Sequence, residues 1–225
     1  MVSRTSRSSL ALLCGILLAL ALGVGVLGGM LWGFGTSAAL MEPALQWDAV
    51  PEELGLTQAD REPIARLIAD TMAGRVSVFQ YKGLFSRQAE THMADCAPLF
   101  RLARTVGLIG FGVFLAALGL CFFCGDWRKS AVGILIGTGI LLVCAVALGV
   151  WGLIDFDSLF TAFHRLMFTN DDWMFPAGDL LITLMPFTFF TRYAAIGGGL
   201  WLASLIALAA VAVLLIRKSR KRQAQ

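Results

Sequence analysis

The sequence predicts an all-α transmembrane protein with four spanning helices and an extracytoplasmic cap formed by two loops, in which helix is combined with short strands. Apolar residues make up 58% of the 225 residues, charged residues make up 15%, and the mean hydropathy is +0.77. These values exceed those of an ordinary soluble domain. Four charge-free runs each approach the ~20 residues that a helix needs to cross hydrocarbon: Leu10 to Leu31, Val106 to Cys124, Ala131 to Ile154 and Ile196 to Ile216.

The first apolar run is interpreted as an uncleaved spanning helix rather than a signal peptide. Ser37-Ala38-Ala39 resembles a cleavage site. The apolar run before it, however, is longer than the ~7 to 15 residues of a signal-peptide core.

The distribution of charge predicts that both termini are cytoplasmic, because cytoplasmic segments of membrane proteins are enriched in Lys and Arg. On the predicted inner side, nine basic residues accompany one acid, Asp126, whereas the two longer loops carry nine basic residues and fourteen acids. The net charge of +3 therefore gives no indication of nucleic-acid binding. The nine inner basic residues are Arg4, Arg7, Arg128, Lys129, Arg217, Lys218, Arg220, Lys221 and Arg222.

These runs divide the chain into five regions. Residues 1–31 form the cytoplasmic N-terminus and first spanning helix, and residues 32–105 form the first part of the cap. Residues 106–154 contain the second and third spanning helices with a short cytoplasmic turn. Residues 155–195 form the second part of the cap with an interfacial helix, and residues 196–225 form the fourth spanning helix and a basic tail.

The first outer loop contains one well-patterned helix. Thr57 and Asp60 have the spacing of a capping box, and the predicted helix extends from Pro51 to Gly74. Alternation from Arg75 to Tyr81 favours a strand after it. The buried face of the helix is predicted to consist of Ile64, Leu67, Ile68 and Met72.

The second outer loop is rich in aromatic residues. Asp157 is predicted to cap a helix from Ser158 to Phe168 that carries His164 near its apolar stripe. Asp179 precedes a short apolar run that Pro186 ends, which is typical of an interfacial or re-entrant segment. So many rings outside the spanning segments favour either shallow immersion in lipid or an acyl-chain pocket. They are Phe156, Phe160, Phe163, Phe168, Trp173, Phe175, Phe187, Phe189, Phe190 and Tyr193.

The candidate chemistry depends on the only two histidines, His92 and His164. Histidine can remove and deliver protons near neutral pH. Asp95 follows His92 by three residues, and Asp157 is close to His164 along its helix. The chain lacks the nucleophile elbow, the phosphate-binding and dinucleotide glycine loops, the metalloprotease signature and multi-cysteine metal motifs, so we expect no cofactor, nucleotide or metal.

Three motifs resemble the four-helix bacterial membrane family that includes the lipoprotein intramolecular transacylase. They are His92-Met-Ala-Asp95, then Phe160-x-x-Phe163-His164-x-x-x-Phe168-x-Asn170-x-x-Trp173, and Asp179-Leu-Leu running to Pro186. The resemblance implies that an acyl chain moves from the sn-2 position of a diacylglyceryl lipoprotein to the amino group of its N-terminal cysteine, giving the lyso form. It also implies a bacterial cell membrane, with lipoproteins and membrane lipids as partners and the active site at the outer face. The chain departs from the family pattern at Cys96-Ala97, where valine and lysine are expected, and at Phe187, where an acid is common.

The resemblance implies that His92 and His164 are the catalytic pair, and we predict His164 as the base and His92 as the acid. Supporting roles are predicted for Asp95, Asp157, Asn170 and Asp179. The substrate-binding surface is predicted to consist of Phe160, Phe163, Phe168 and Trp173.

Two alternatives from other functional classes remain open. One is a non-catalytic membrane scaffold or lipid-binding protein that uses the aromatic surface. The other is a metal-dependent membrane hydrolase whose ligands would be His92, His164, Asp95 and Asp179.

Overall fold

The structure is a computed structural model that describes residues 4–223. Over these residues the chain forms eight α-helices, four short 3₁₀ helices and no strand. The α-helices are α1 Arg4–Gly35, α2 Ala38–Met41, α3 Arg61–Met72, α4 Arg87–Cys124, α5 Trp127–Ile154, α6 Phe156–Met167, α7 Leu180–Leu184 and α8 Phe187–Gln223. The 3₁₀ helices are Glu42–Ala44, Trp47–Ala49, Glu52–Leu54 and Gln58–Asp60.

Helices α1, α4, α5 and α8 are long and apolar enough to cross a membrane, which confirms the prediction of four spanning helices. Helix α4 begins at Arg87 instead of Val106, and its 38 residues extend over about 57 Å at ~1.5 Å per residue. That length exceeds a hydrocarbon core of about 30 Å. The charged first part of α4 therefore lies outside the hydrocarbon, and His92 is on a helix and not in an irregular loop.

The described residues form two compact units. The first unit contains the described part of residues 1–28, Val106–Phe156 and the described part of residues 198–225. The second unit contains Gly29–Thr105 and Asp157–Gly197. Both histidines belong to the second unit.

Close backbone contact between α1 and α5 organises the first unit. A Cβ atom at Gly15 would overlap the carbonyl oxygen of Ser130, and one at Gly133 would overlap that of Leu12. Only glycine permits this approach, as in other membrane helix pairs. The Asp126 side chain accepts a hydrogen bond from the backbone N–H of Lys129 at 3.1 Å and so caps α5.

The core of the second unit is formed around α3. Ile64, Ile68 and Met72 are buried as predicted, whereas Leu67 is only partly buried. The predicted capping box between Thr57 and Asp60 is present. The predicted start at Pro51 is wrong, because the capping box opens a 3₁₀ turn and α3 itself begins at Arg61.

The strand predicted from Arg75 to Tyr81 is wrong. Gly74 adopts a left-handed conformation with φ of 71°, and the following residues form an irregular segment. The Gln80 side chain donates a hydrogen bond to the carbonyl of Phe85 at 3.0 Å and accepts one from the backbone N–H of Tyr81 at 2.9 Å. Side-chain bonds therefore satisfy backbone groups that would otherwise pair in a sheet.

The apolar run after Asp179 forms the one-turn helix α7. The Asp179 carboxylate accepts a hydrogen bond from the backbone N–H of Leu181 at 2.9 Å and caps this helix. Leu180, Leu181 and Leu184 are buried in the same hydrophobic cluster as α3. This run is consequently part of the protein core.

Candidate active site

The two histidines meet inside the second unit. His92 lies on α4 and His164 on α6, and their ring centroids are 6.0 Å apart with an angle of 28° between the planes. The two residues are only 9% and 7% exposed. Two imidazoles that are 72 positions apart in the chain are thus close enough to act on one small chemical group.

Aromatic side chains enclose this pair. The Phe168 ring lies 5.0 Å from His92 and 5.6 Å from His164. On the side of His164, the ring centroids of Phe160 and Trp173 lie at 3.9 and 4.9 Å. Phe163 meets the same imidazole edge-on at 5.2 Å but remains 48% exposed. Burial by these apolar rings excludes water from both imidazoles.

A backbone hydrogen bond determines the proton arrangement of His164. Its Nδ1 lies 2.8 Å from the carbonyl oxygen of Phe160. A carbonyl can only accept, so Nδ1 must donate, and in the neutral ring Nε2 then carries the lone pair. Burial lowers the pKa of His164 below its ordinary value of 6.5, and the hydrogen bond to Phe160 opposes that shift. At neutral pH, His164 is consequently an imidazole without charge, and its basic atom is Nε2.

His92 has a different environment. Its Nε2 lies 3.5 Å from the Sγ atom of Cys96, one helical turn further along α4. Its Nδ1 is buried and has no hydrogen-bond partner among the residues that the structure describes. The Phe175 ring approaches His92 edge-on at 5.5 Å. An unpaired buried nitrogen is energetically costly, which makes Nδ1 available to a group that the chain itself does not supply.

Asn170 connects α4 with the segment between α6 and α7. Its Nδ2 donates to Asp95 at 2.8 Å, and its Oδ1 accepts from the backbone N–H of Asp172 at 3.1 Å. The backbone carbonyl of Asn170 accepts the indole N–H of Trp173 at 3.0 Å. Asp95 is therefore bonded to Asn170 and not to the ring of His92, and both residues position the two histidine-bearing segments.

Asp179 has a structural role in addition to capping α7. Its second carboxylate oxygen accepts a hydrogen bond from the hydroxyl of Ser86 at 2.6 Å. Ser86 immediately precedes α4, and its hydroxyl also accepts from the backbone N–H of Ala89 at 3.1 Å. Asp179 thus connects the start of α4 to the start of α7.

Asp157 does not cap α6 as predicted. The helix begins at Phe156, two residues before the predicted start at Ser158, so Asp157 lies within the first turn. Its side chain is exposed there, where a carboxylate interacts favourably with the positive end of the helix dipole.

The alternative metal site is not assembled. In the part of the chain with described coordinates, no three His, Cys, Asp or Glu side chains are close enough to hold a metal ion. Asp95 and Asp179, two of the proposed ligands, are instead hydrogen-bonded to Asn170 and Ser86.

Three residues beside the histidines were not among the predicted catalytic, supporting or substrate-binding residues. Cys96 and Phe175 contact His92, and Gln88 donates to the backbone carbonyls of Asp172 and Met174 at 3.1 and 2.9 Å. Cys96 could have been found from its i+4 spacing to His92 if the region had been recognised as helical. No local signal marks Gln88, because its partners lie 84 and 86 residues away.

Comparison with solved structures shows the same fold in another protein. The chain superimposes on the in meso structure of the membrane integral lipoprotein intramolecular transacylase Lit from Bacillus cereus with a TM-score of 0.71 and 19% identity, covering 97% of this chain and 100% of the other. A structure of a histidine-to-arginine variant of the Bacillus cereus protein gives a TM-score of 0.68 and 18% identity, covering 97% of this chain and 95% of the other. No curated protein matches the sequence.

The family is established by the sequence itself. The family model described as "Lipoprotein intramolecular transacylase Lit" matches residues 16–190, which is more than half of the 225 residues and includes both histidines. The chain therefore belongs to the lipoprotein intramolecular transacylase family, and it is an integral membrane protein of a bacterial type.

Proposed function

We propose that the protein moves the sn-2 acyl chain of a diacylglyceryl lipoprotein to the α-amino group of its own N-terminal cysteine, which gives the lyso form. The main support is that the only two histidines of the chain lie 6.0 Å apart and are packed among aromatic rings. The family name supports lipoproteins as the substrate class. The proposed partners are these lipoproteins and membrane lipids, and no nucleotide, nucleic acid or cofactor takes part.

His164 is assigned as the base in this reaction. As the amine nitrogen forms a bond to the ester carbonyl carbon, Nε2 of His164 accepts the proton that the amine must lose. When the ester C–O bond breaks, the imidazolium returns that proton to the sn-2 oxygen, which leaves as a hydroxyl group. One ring thus performs both transfers and ends in its starting state, as the histidine of a serine protease does. The support for this assignment is the Nδ1 hydrogen bond to Phe160, which leaves the lone pair on Nε2.

His92 is assigned as the donor to the carbonyl oxygen. That oxygen gains negative charge when the amine adds to the carbonyl carbon, and a hydrogen bond available at that moment lowers the barrier. The buried and unpaired Nδ1 of His92 is the candidate atom. The sequence predicted His92 as an acid, and this proposal restricts that role to donating a hydrogen bond. A neutral imidazole can donate a hydrogen bond from its N–H group, but it does not transfer its last proton.

The aromatic rings are assigned to hold the lipid head in a folded conformation. The nucleophile and the ester belong to one molecule, so restricting their mutual orientation can contribute effective molarities of about 10⁵ M or more. Phe160, Phe168 and Trp173 enclose the histidines, and the half-exposed Phe163 extends the apolar surface beyond them. We further propose that both termini are cytoplasmic and that the site faces outward.

The test is expression in a bacterium whose lipoproteins keep a free N-terminal amine, followed by mass spectrometry of a lipoprotein N-terminal peptide. Transfer within one molecule leaves its mass unchanged, so tandem fragmentation has to locate each acyl chain. We expect one chain on the cysteine nitrogen and one on the glyceryl group. An amine that remains free and reactive, with the protein confirmed in the membrane, would refute the proposal.

Histidine variants separate catalysis from a scaffold function. His92→Asn and His164→Asn should each lower the transfer rate by about 100-fold or more, since general acid–base catalysis contributes about 10² to 10⁴. Thr91→Asn and Arg165→Gln are matched controls, because these exposed residues lie next to the histidines on the same helices. Retention of the full transfer rate in both histidine variants would refute the two-histidine mechanism, whereas the absence of any transfer in the unmodified protein would favour the scaffold alternative.

A further inference from the structure

The thiol of Cys96 is the only side-chain group within hydrogen-bonding distance of the His92 ring among the described residues, and the two atoms involved, Sγ and Nε2, are 3.5 Å apart. The other ring nitrogen, Nδ1, is buried without a partner. His92 itself is 9% exposed. One ring nitrogen therefore has a sulfur neighbour, and the other has no polar atom of the described residues within hydrogen-bonding distance.

The identity of the donor in the Cys96 contact determines what Nδ1 can do. A thiol with an ordinary pKa of about 8.5 carries its proton at neutral pH. A neutral imidazole has one N–H and one lone pair, and the hydrogen bond at one nitrogen determines which nitrogen keeps the proton. If the S–H group donates to Nε2, the ring proton must be on Nδ1.

We propose that Cys96 is a positioning residue that donates its S–H to Nε2 of His92 and so holds the neutral ring with its proton on Nδ1, directed toward the carbonyl oxygen of the substrate. This inference rests on the proposed function and deepens it, because it names the group that prepares the donor. The opposite tautomer would place the ring proton on the sulfur side and would present a lone pair to an oxygen that is becoming negative.

The surroundings of His92 contain no better candidate for this role. Besides Cys96, the titratable groups that act electrostatically on His92 are His164, Asp95 and Asp172. The Asp95 carboxylate accepts a hydrogen bond from Asn170. The remaining close neighbours are the rings of Phe168 and Phe175, which cannot determine a tautomer by hydrogen bonding.

The direct test is ¹⁵N spectroscopy of histidine-labelled protein, for which two histidines in the whole chain are a practical advantage. The His164→Asn variant leaves His92 as the single labelled ring and assigns its signals. We expect its protonated nitrogen to be Nδ1 at neutral pH. In a Cys96→Val background, which removes the donor at similar volume, the signals should shift toward the Nε2-protonated form.

Kinetics provide the second readout. Cys96→Val should lower kcat by roughly two- to tenfold, the range that corresponds to loss of one ordinary hydrogen bond, and should change KM much less. Cys96→Ser retains a donor and should recover part of the loss. Cys144→Val is the matched control, because Cys144 is exposed on α5 and outside the histidine site, so its kcat should equal that of the unmodified protein.

Two results would overturn the inference. One is a His92 ring that is protonated on Nε2 in the unmodified protein. The other is a ring proton that stays on Nδ1 in the Cys96→Val variant, which would mean that the thiol only fills space. Both results come from ¹⁵N spectroscopy, which does not require turnover. A protein without transacylase activity would therefore refute the proposed function and still leave the effect of Cys96 on the His92 tautomer decided.

Discussion

Replacement of Phe168 by alanine tests whether burial controls the basicity of His164. The Phe168 ring lies 5.6 Å from His164 and 5.0 Å from His92, and the residue is 8% exposed. Without this ring, water can reach both imidazoles. Because burial is the main cause of the lowered pKa of His164, Phe168→Ala should raise that pKa toward its ordinary value of 6.5.

The size of the effect has two parts. A Phe-to-Ala change at a buried position costs about 3 to 5 kcal/mol of unfolding free energy, and Phe168 is close to the fully buried limit. In the pH–rate profile, the acid limb should shift to higher pH. Each pKa unit of that shift corresponds to a change of about 1.4 kcal/mol in the free-energy difference between the two protonation states of His164. The base acts in its neutral form, so the variant should lose activity at a higher pH than the unmodified protein.

The assay is the transfer rate on a diacylglyceryl lipopeptide from about pH 4.5 to 8, with thermal unfolding in detergent as the stability measurement. Phe163→Ala is the control, since Phe163 contacts His164 only at the ring edge and is already 48% exposed. Phe163→Ala should lower the unfolding free energy about half as much as Phe168→Ala does, and it should shift the acid limb of the pH–rate profile less. A Phe168→Ala protein that is clearly destabilised but whose acid limb does not move would show that burial by this ring is not what lowers the pKa.

Three further predictions concern the rest of the molecule. The titration of the His164 ring in the unmodified protein, followed by the ¹⁵N signals of labelled histidine, should have its midpoint below pH 6.5, because burial lowers the pKa of His164; a midpoint above 6.5 would contradict this. Leu184→Ala should lower the unfolding free energy by about 2 to 5 kcal/mol, because Leu184 is 0% exposed within the α3 cluster, whereas Leu166→Ala at a 78% exposed position should have little effect on thermal unfolding. Asp60→Asn should lower thermal stability at neutral pH, since hydrogen bonds, first from Lys82 and then from Tyr81 and Thr57, hold the pKa of Asp60 well below 3.8. The carboxylate stabilises the fold above its ordinary pKa and loses that effect as the pH falls through the lowered value, so the two melting temperatures should converge in strong acid, and a constant difference would count against this origin.

The four spanning helices could be predicted from sequence because the bilayer imposes a length and an absence of charge that a single chain displays directly. The requirement for a charge-free stretch did not predict the first part of α4, which carries charged residues. Residues such as Arg87, Glu90 and Arg101 disfavour lipid without disfavouring a helix, so the hydropathy pattern ends at Val106 while the helix continues back to Arg87. Preference for lipid and preference for helix are separate properties, and a hydropathy pattern reports only the first.

The capping box at Thr57 and Asp60 was predictable for a different reason. It is formed within four consecutive residues, with the backbone N–H of Thr57 donating to the Asp60 carboxylate at 2.8 Å, so the local sequence contains all of the required chemistry. The failed strand shows the limit of such reasoning, because alternation of side chains is only evidence for a strand when a partner strand exists to pair with it.

The histidine site was predictable only in part. Its two imidazoles and most of its rings could be named from the residues, because reactive side chains are few in this chain and the aromatic density of the second loop is unusual. The path of that loop could not be predicted. It depends on long-range bonds such as those of Gln88 to Asp172 and Met174 and of Asn170 to Asp95, which bring Phe175 to His92 and which no local pattern encodes.

The Phe160 carbonyl has a consequence for how this chemistry can be studied genetically. In many hydrolases the residue that orients the histidine is an aspartate, and its replacement reveals its importance. Here the orienting oxygen belongs to the main chain and survives every side-chain substitution at position 160. An alanine scan would identify only the two histidines. The contribution of the Phe160 carbonyl would be found only by altering the polypeptide backbone itself, for example by an amide-to-ester exchange.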